Sequence, residues 1–454
     1  MPGPLYPIQP VFVRGELSPR LFSRVDIDHW KMGLAECVNW LIMKQGGLRR
    51  RPGTEWINWS KYTNSTNASL GKVRLHKFVF STLQAYVLEF GHGYIRFFAN
   101  GGIVNKNAAV GVTFVPGGGL INWAGHGLAT NDPVVFSTTG TLPAPLKPGQ
   151  TYWVVGTNPT QIVISASYGG AAITPYATAG TGTHNAVSPI EVLTSYTLDE
   201  VWQLQFAQSA DVLYIAHPNH QQAMLSRFGG STFQLILYNG YDGPYLPDNT
   251  TGTTMTPSAL SGFVYINASS PAGINGGAGF VASDAGRWIS LQYSSKWYGA
   301  QIQGGGVVSP TQVYVYVVGL IAADGTGVYA FPGTGATGGW KLGAWCETCG
   351  WPGSVTFYQQ RLVWARTDTQ PQTVWMSRAG VLDNFATTEP SQDDDALTLT
   401  ILAGEVNAIS WLAEGPDLMI GTSGAMRTIG PADSGKNFGP TNFTHKRQST
   451  FGSL

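Results

Sequence analysis

Leu75-HKFVFSTLQAYVLEFGHGYIRF-Phe98 is the stretch that decides how the chain is read. Apolar and polar residues alternate in three short runs separated by polar or Gly-containing turns, and a period of two places every second side chain on one face of a strand. The same plan returns in Leu204-QFAQSADVLYIAHPNHQQAMLS-Arg227, Val355-TFYQQRLVWARTDTQPQTVWM-Ser377 and Ile409-SWLAEGPDLMIGTSGAMRT-Ile429. Each opens with a strand bearing an aromatic residue: Phe78 and Phe80, Phe206, Phe357 and Trp411. Second strands are predicted at Ala85 to Phe90, Asp211 to Ala216, Arg361 to Ala365 and Asp417 to Gly421. Third strands are predicted at Tyr94 to Phe98, Gln222 to Ser226, Thr373 to Ser377 and Ala425 to Ile429. One three- or four-stranded sheet cannot bury its own faces, so repeated units of this kind read as propeller blades.

Outward from these units, two long intervals interrupt the repeat. From about Thr113 to Val187, strands separated by Asn-Pro and Gly-Gly turns indicate a small inserted β-sandwich or barrel. From about Thr256 to Trp340, the strand-turn-strand of Ala285 to Gln303 and the strand Val313 to Ile321 indicate a second small barrel. Helical periodicity is scarce. Trp30, Leu34, Val38 and Leu41 recur at helical spacing, which predicts a helix over Asp26 to Met43. The fold expected is therefore mainly β: an incomplete or multi-chain β-propeller-like platform with an N-terminal helix and two inserted small β-domains. The segments are 1–112 (helix and first blade), 113–187 (insert), 188–255 (blade), 256–340 (barrel-like insert) and 341–454 (further blades).

Composition narrows the function. The 454 residues hold 26 Lys and Arg against 26 Asp and Glu, so a protein that grips nucleic acid along a large positive face is not expected. The 12% aromatic share argues against disorder, and the Gly excess (58 residues) falls in turns. No apolar run reaches the roughly 18 residues that a membrane helix needs. Met1-Pro-Gly-Pro-Leu-Tyr-Pro has neither the basic start nor the apolar core of a secretory signal. No catalytic residue, cofactor or metal site is expected. The eight His are dispersed without HExxH, and GxSxG and a P-loop are absent. Asp393-Asp394-Asp395 lacks the spacing of a calcium loop and reads as a solvated loop. Cys346 and Cys349 form a CxxC with no second ligand pair, and read as ordinary thiols in a turn.

One block is more specific. Gly15-Glu16-Leu17-Ser18-Pro19-Arg20 is followed by Val25-Asp26-Ile27-Asp28 and then by Gly33-Leu34-Ala35-Glu36-Cys37-Val38-Asn39-Trp40. Gln45-Gly46-Gly47-Leu48-Arg49-Arg50-Arg51-Pro52-Gly53-Thr54 completes it. This order resembles the start of the tail nozzle proteins of short-tailed bacteriophages, also called tail tubular protein B. Leu204 to Asp211, Thr356 to Val363, Asn407 to Leu412 and Gly421 to Ala425 extend the resemblance along the chain, and the insert from Trp123 to His184 is similar to a small β-domain of phage structural proteins.

The resemblance implies a non-enzymatic, structural virion protein of the tail, assembled in the host cytoplasm. It would form a homohexameric ring below the portal and adaptor, anchor tail fibres or spikes, and conduct double-stranded DNA during ejection, with no membrane insertion and no cofactor. The resembled family is usually longer, and the chain is expected to stop inside a blade at Phe451-Gly-Ser-Leu454. Asp26 to Met43 and the basic cluster after it are the candidate intersubunit or adaptor contact, with Arg14, Arg20, Arg24, Arg49, Arg50 and Arg51 forming its salt bridges. The competing expectation is a receptor-binding fibre or spike in which Trp123, Tyr152 and Trp153 stack on glycan. A glycan depolymerase is a third.

Overall fold

Each of the four related stretches forms the strands that its alternation dictates. The computed structural model describes Gln9 and residues 11–62, 68–81, 84–321, 327–388, 390–402, 404 and 406–453. The signal-peptide reading of Met1 to Pro7 lies outside the described residues. Sheet I comprises Arg74–Val79, Ala85–Gly91 and Tyr94–Ala99, joined at its far edge by Glu191–Leu193. Sheet II comprises Gln205–Ser209, Val212–His217, His220–Arg227 and Phe233–Leu237. Sheet III comprises Ser354–Tyr358, Arg361–Ala365, Thr373–Met376 and Leu397–Thr400. Sheet IV comprises Ile409–Ala413, Leu418–Thr422, Met426–Gly430 and Thr444–Ser449. Strands follow one another in antiparallel order within sheets II, III and IV. Sheet IV has its fourth strand, unlike the interrupted blade expected from the sequence.

The sheets stack face to face, and alternation along a strand assigns each side chain to one interface or the next. Leu213 and Ile215 pack with Phe78, Leu88 and Phe97 of sheet I, whereas their neighbours Tyr214 and Ala216 pack with Leu362 and Trp364 of sheet III. Val363 and Ala365 turn the other way, onto Ile409, Leu418 and Ile420 of sheet IV. Sheets II and III are thus buried on both faces, and each large apolar side chain so buried contributes roughly 1.5–3 kcal/mol.

Two domains interrupt the stack. Between the third and fourth strands of sheet I stands a closed six-stranded barrel: Val110–Phe114, Ile121–Asn122, Pro133–Thr138, Thr151–Asn158, Gln161–Ser165 and His184–Val187. Between sheets II and III lies a seven-stranded half-barrel that begins at Met255–Pro257 and ends at Trp340–Leu342. Its longest hairpin, Lys296–Ser309 with Gln312–Ile321, curls over a core that includes Val264, Ile289, Val315 and Trp340. The sequence had pointed to a barrel in both places, and the second stays open.

The N-terminal helix is not formed, and among the described residues no α-helix occurs, only six 3₁₀ turns. Asp28–Met32 makes one such turn. Gly33 is then extended (φ −109°, ψ 172°) and Leu34 bridges to Glu16. Asn39 at φ 62° turns the chain into the strand Trp40–Ile42, which pairs with Leu48–Arg50. The apolar spacing was helical, but Ile27 gives no side-chain cap and Gly33 sits at the centre of the segment, where helix propensity is weakest. By its contacts the chain divides into two compact units, Met1–Asn58 and Trp59–Leu454, and all four stacked sheets and both inserted domains belong to the second.

Candidate functional site

The N-terminal unit carries the six candidate arginines. Its backbone is held by a few hydrogen bonds between distant segments: Phe12 N–H to the Gly46 carbonyl, Arg14 N–H to that of Met32, and a reciprocal pair around the Glu16–Leu34 bridge. Glu16 also accepts the Cys37 N–H at 3.0 Å. Two glycines are required by contact. A Cβ on Gly33 would stand 2.4 Å from Leu17 Cγ, and one on Gly46, already at φ +101°, 2.6 Å from Val11 Cγ1. These two glycines are the only buried residues among those described in this unit.

Both faces of its hairpin are therefore exposed. Trp40 and Ile42 stand opposite Arg50 and Leu48, and Leu41 stands opposite Arg49. Trp40, Leu41, Ile42 and Met43 are all exposed, as are Phe22, Val38 and Trp56. Arg24 makes a two-pronged pair with Asp26, 2.8 Å at each contact, within its own loop. Arg14, Arg20, Arg49, Arg50 and Arg51 are exposed and make no ion pair among the described residues. The structure thus leaves five of the six candidates available and commits Arg24 locally. Chemically, this is an arginine-edged apolar ribbon, suited to carboxylates and apolar side chains of another surface.

The proposed sugar-stacking aromatics are placed differently. Trp123 and Tyr152 are core residues of the closed barrel, each 1% exposed, and the Tyr152 hydroxyl accepts the Lys147 N–H at 2.7 Å. Trp153 is also buried, and the Lys61 ammonium lies 5.1 Å from its ring centroid. None presents a face to a sugar, which corrects that expectation. For Trp123 and Tyr152 the physical reason is that the closed barrel fills its interior with large side chains, whereas Trp153 lies outside that core and is covered beside Lys61.

Around Trp153 is a charge network that the sequence did not announce. Lys61 Nζ lies 2.5 Å from Glu191 Oε1, and Arg96 Nε donates to Glu191 Oε2 at 3.0 Å. Arg96 also donates to Thr151 Oγ1 of the barrel at 2.7 Å, and Tyr94 donates to Glu89 at 2.6 Å. Burial lowers the Lys61 pKa against the opposing pull of Glu191, and burial raises that of Glu89. Lys61 and Glu191 stand 130 residues apart, so no local motif could have paired them.

Two further sites absorb residues singled out by sequence, and a third was not announced by it. Asp395 is fully buried, and its Oδ2 accepts the Thr388 and Gln392 N–H groups at 3.0 and 2.8 Å. Arg361 donates to the carbonyls of Asp393, Asp394 and Asp395; the solvated-loop reading is corrected at Asp395, while the side chains of Asp393 and Asp394 are exposed. Cys346 and Cys349 are buried in a tight turn. Cys346 Sγ accepts the Cys349 N–H at 3.1 Å, and Arg287 donates to Cys349 Sγ at 3.2 Å. Hydrogen bonding from Cys349 and the charge of Arg287 hold the Cys346 thiol at about 6, against burial, while its partner is raised. Finally, a cleft of about 350 Å³ is lined by Asp242, Tyr245, Asp248, Trp297 and Lys341. The Tyr245 hydroxyl donates to Asp242 at 2.5 Å, and Lys341 lies 4.0 Å from the Trp297 ring centroid. Burial raises the Asp242 carboxyl above its usual range, while the Tyr245 hydroxyl opposes the shift.

No family model and no curated protein matches the chain. Among solved structures it is similar to the phage phi92 endosialidase, at 12% identity and a TM-score of 0.15, over 81% of this chain. The match spans 65% of that protein.

Proposed function

We propose that the chain is a structural subunit of a short-tailed phage tail, a nozzle protein that works as a ring and not as an enzyme. The observation that carries this reading is the N-terminal unit. The residues that carry the nozzle resemblance, from Gly15 to Thr54, include a two-stranded ribbon with apolar side chains on both faces, and Arg20, Arg49, Arg50 and Arg51 in that stretch make no ion pair among the described residues. A ribbon with so little buried surface gains its stability from a surface outside itself. The stacked four-stranded sheets fit a propeller-like platform, with the barrel and half-barrel as its inserted domains. In this reading six copies form the ring, the arginines meet acidic groups of a neighbouring copy or of the adaptor, and fibres or spikes bind at the rim. DNA passes through without being held, in the virion tail assembled in the host cytoplasm. The burial of Trp123, Tyr152 and Trp153 takes away the glycan-stacking residues named for the spike alternative.

Native mass measurement of the purified chain, with cryo-EM of the particle, tests the reading. A six-fold ring is expected, and reversal of Arg50 and Arg51 to Glu is expected to abolish it. A trimer, or a ring indifferent to that reversal, would sink the proposal.

A further inference from the structure

The second sheet carries a group that neither the stack nor the ribbon uses. One ring nitrogen each of His217 and His220 and a carboxylate oxygen of Glu200 lie within 4.8 Å of one another. The two histidines stand opposite each other at the end of one hairpin, with ring centroids 5.2 Å apart. Glu200 opens the 3₁₀ turn Glu200–Trp202, on the segment that leads from sheet I into sheet II. That turn is fixed in place. Thr197 donates its N–H and its hydroxyl to Glu200 Oε2 at 2.9 and 2.8 Å, and Arg74 donates to the carbonyls of Val201, Trp202 and Leu204.

The electrostatics of the group are incomplete. His217 is 1% exposed, and the Nε2 atoms of both His217 and His220 are buried with no hydrogen-bond partner. His220 Nε2 lies 3.1 Å from Glu200 Oε2, but the contact lacks the direction of a hydrogen bond. The buried Nε2 of His217 carries a desolvation cost that no hydrogen bond offsets, and that of His220 is offset only by its contact with the Glu200 carboxylate. A cation that accepts both nitrogen lone pairs satisfies the two rings at once and is neutralised by the carboxylate that Thr197 already holds in place.

We propose that Glu200, His217 and His220 form a divalent transition-metal site, with zinc the ion that two imidazoles and one carboxylate suit best. Zinc ligands sit about 2.0–2.1 Å from the ion and hence roughly 3.3 Å from one another. The Glu200–His220 contact of 3.1 Å already has this spacing, and the widest separation of 4.8 Å closes by roughly 1.5 Å. The side chains of His220 and Glu200 are 23% and 18% exposed, so the group lies near the surface although both Nε2 atoms are themselves buried. Coordination through Nε2 places the ring proton on Nδ1. In His220 that proton can be given to Ser195 Oγ, 3.2 Å away. In His217 the 3.2 Å contact from the Asn219 N–H to Nδ1 must open, so the Pro218-Asn219 turn shifts on loading. The ion would tie the crossover from sheet I to the hairpin of sheet II. This inference does not rest on the nozzle reading.

The test is titration of the chelator-stripped full chain with cobalt(II) and zinc(II), read by visible absorption and by melting temperature. One cobalt per chain is expected, with a d–d spectrum free of thiolate charge transfer, zinc displacing it, and a higher melting temperature that chelator reverses. His220→Gln and Glu200→Gln, checked by circular dichroism for folding, should each weaken binding at least about tenfold. Cys346→Ser with Cys349→Ser should leave it unchanged. No saturable binding, binding that survives His217→Gln with His220→Gln, or binding that follows the cysteines overturns the proposal. His220→Gln alone decides the matter if His217→Gln does not fold.

Discussion

Glu191 sits between two cations, Lys61 and Arg96, with all three side chains almost wholly buried. A buried charge that loses its partner is worth more against the fold than the pair was worth for it. Glu191→Gln, which strands both cations, is therefore expected to destabilise the protein by about 3 kcal/mol, read as a lower urea midpoint. Lys61→Met should cost less, because Arg96 still neutralises Glu191. His76 makes a second case. It stacks on Phe206 at 4.2 Å, and burial, with Arg74 and Lys77 adding to it, lowers its pKa to about 4. The folded pKa lies below the unfolded value of about 6.5, so the neutral ring stabilises the fold above pH 6.5. That contribution is lost as pH falls towards 4. Replacing His76 by Gln is expected to flatten the fall in stability between pH 7 and 4.5 by roughly 1 kcal/mol, after allowance for solvent screening at this half-buried site. An unchanged slope would count against it. At this scale the sequence is least legible. Alternation shows that Tyr152 and Val154 share one face of a strand, but only the barrel's closure decides that the face is inward.

The second and third strands of the four stacked sheets were legible almost to the residue because alternation and turn chemistry agree in them, whereas the fourth strands, such as Phe233–Leu237 and Leu397–Thr400, were not read from the sequence. Arg361 to Ala365 was read as a strand and is one, and Gln359 and Gln360, in the turn before it, both take positive φ. Its two faces serve different interfaces, so a single substitution there has a large effect. Trp364→Ala empties part of the core shared by sheets II and III and is expected to cost about 3–5 kcal/mol in chemical denaturation. A loss below 1 kcal/mol would mean that the sheets do not pack as described. The N-terminal segment misled because Trp30, Leu34, Val38 and Leu41 satisfy a helical period by position alone. A strand exposed on both faces gives no inside-outside pattern by which to recognise it.

The zero net charge of the whole chain conceals a division. Residues 1–58 hold eight Lys and Arg against five Asp and Glu, so the remaining chain is acidic by the same excess. Copies of such a molecule attract one another through unlike parts, and salt screens that attraction. The stack is also unequal at its ends. The outer face of sheet I leaves Leu75, Val79 and Val87 exposed, a row that an interior sheet would have covered by its neighbour. Leu75→Asp with Val87→Asp is expected to reduce the native mass towards that of the monomer while leaving the melting temperature within a few degrees, and an unchanged assembly would place the interface elsewhere. Repetition made the stack readable from sequence. The charge network and the metal-ligating group were not, because each joins segments that are remote or of different type. The closed barrel carries one more consequence. Val110 near its start and Ala186 near its end are paired partners on neighbouring strands, and Lys106 N–H donates to the Ser188 carbonyl just outside. The two ends of the excursion therefore meet, so closing that loop asks little extra entropy of the parent sheet however long the excursion becomes. The site works as a socket, where a module of unrelated sequence could be exchanged while Tyr94–Ala99 still receives Glu191–Leu193 as its partner.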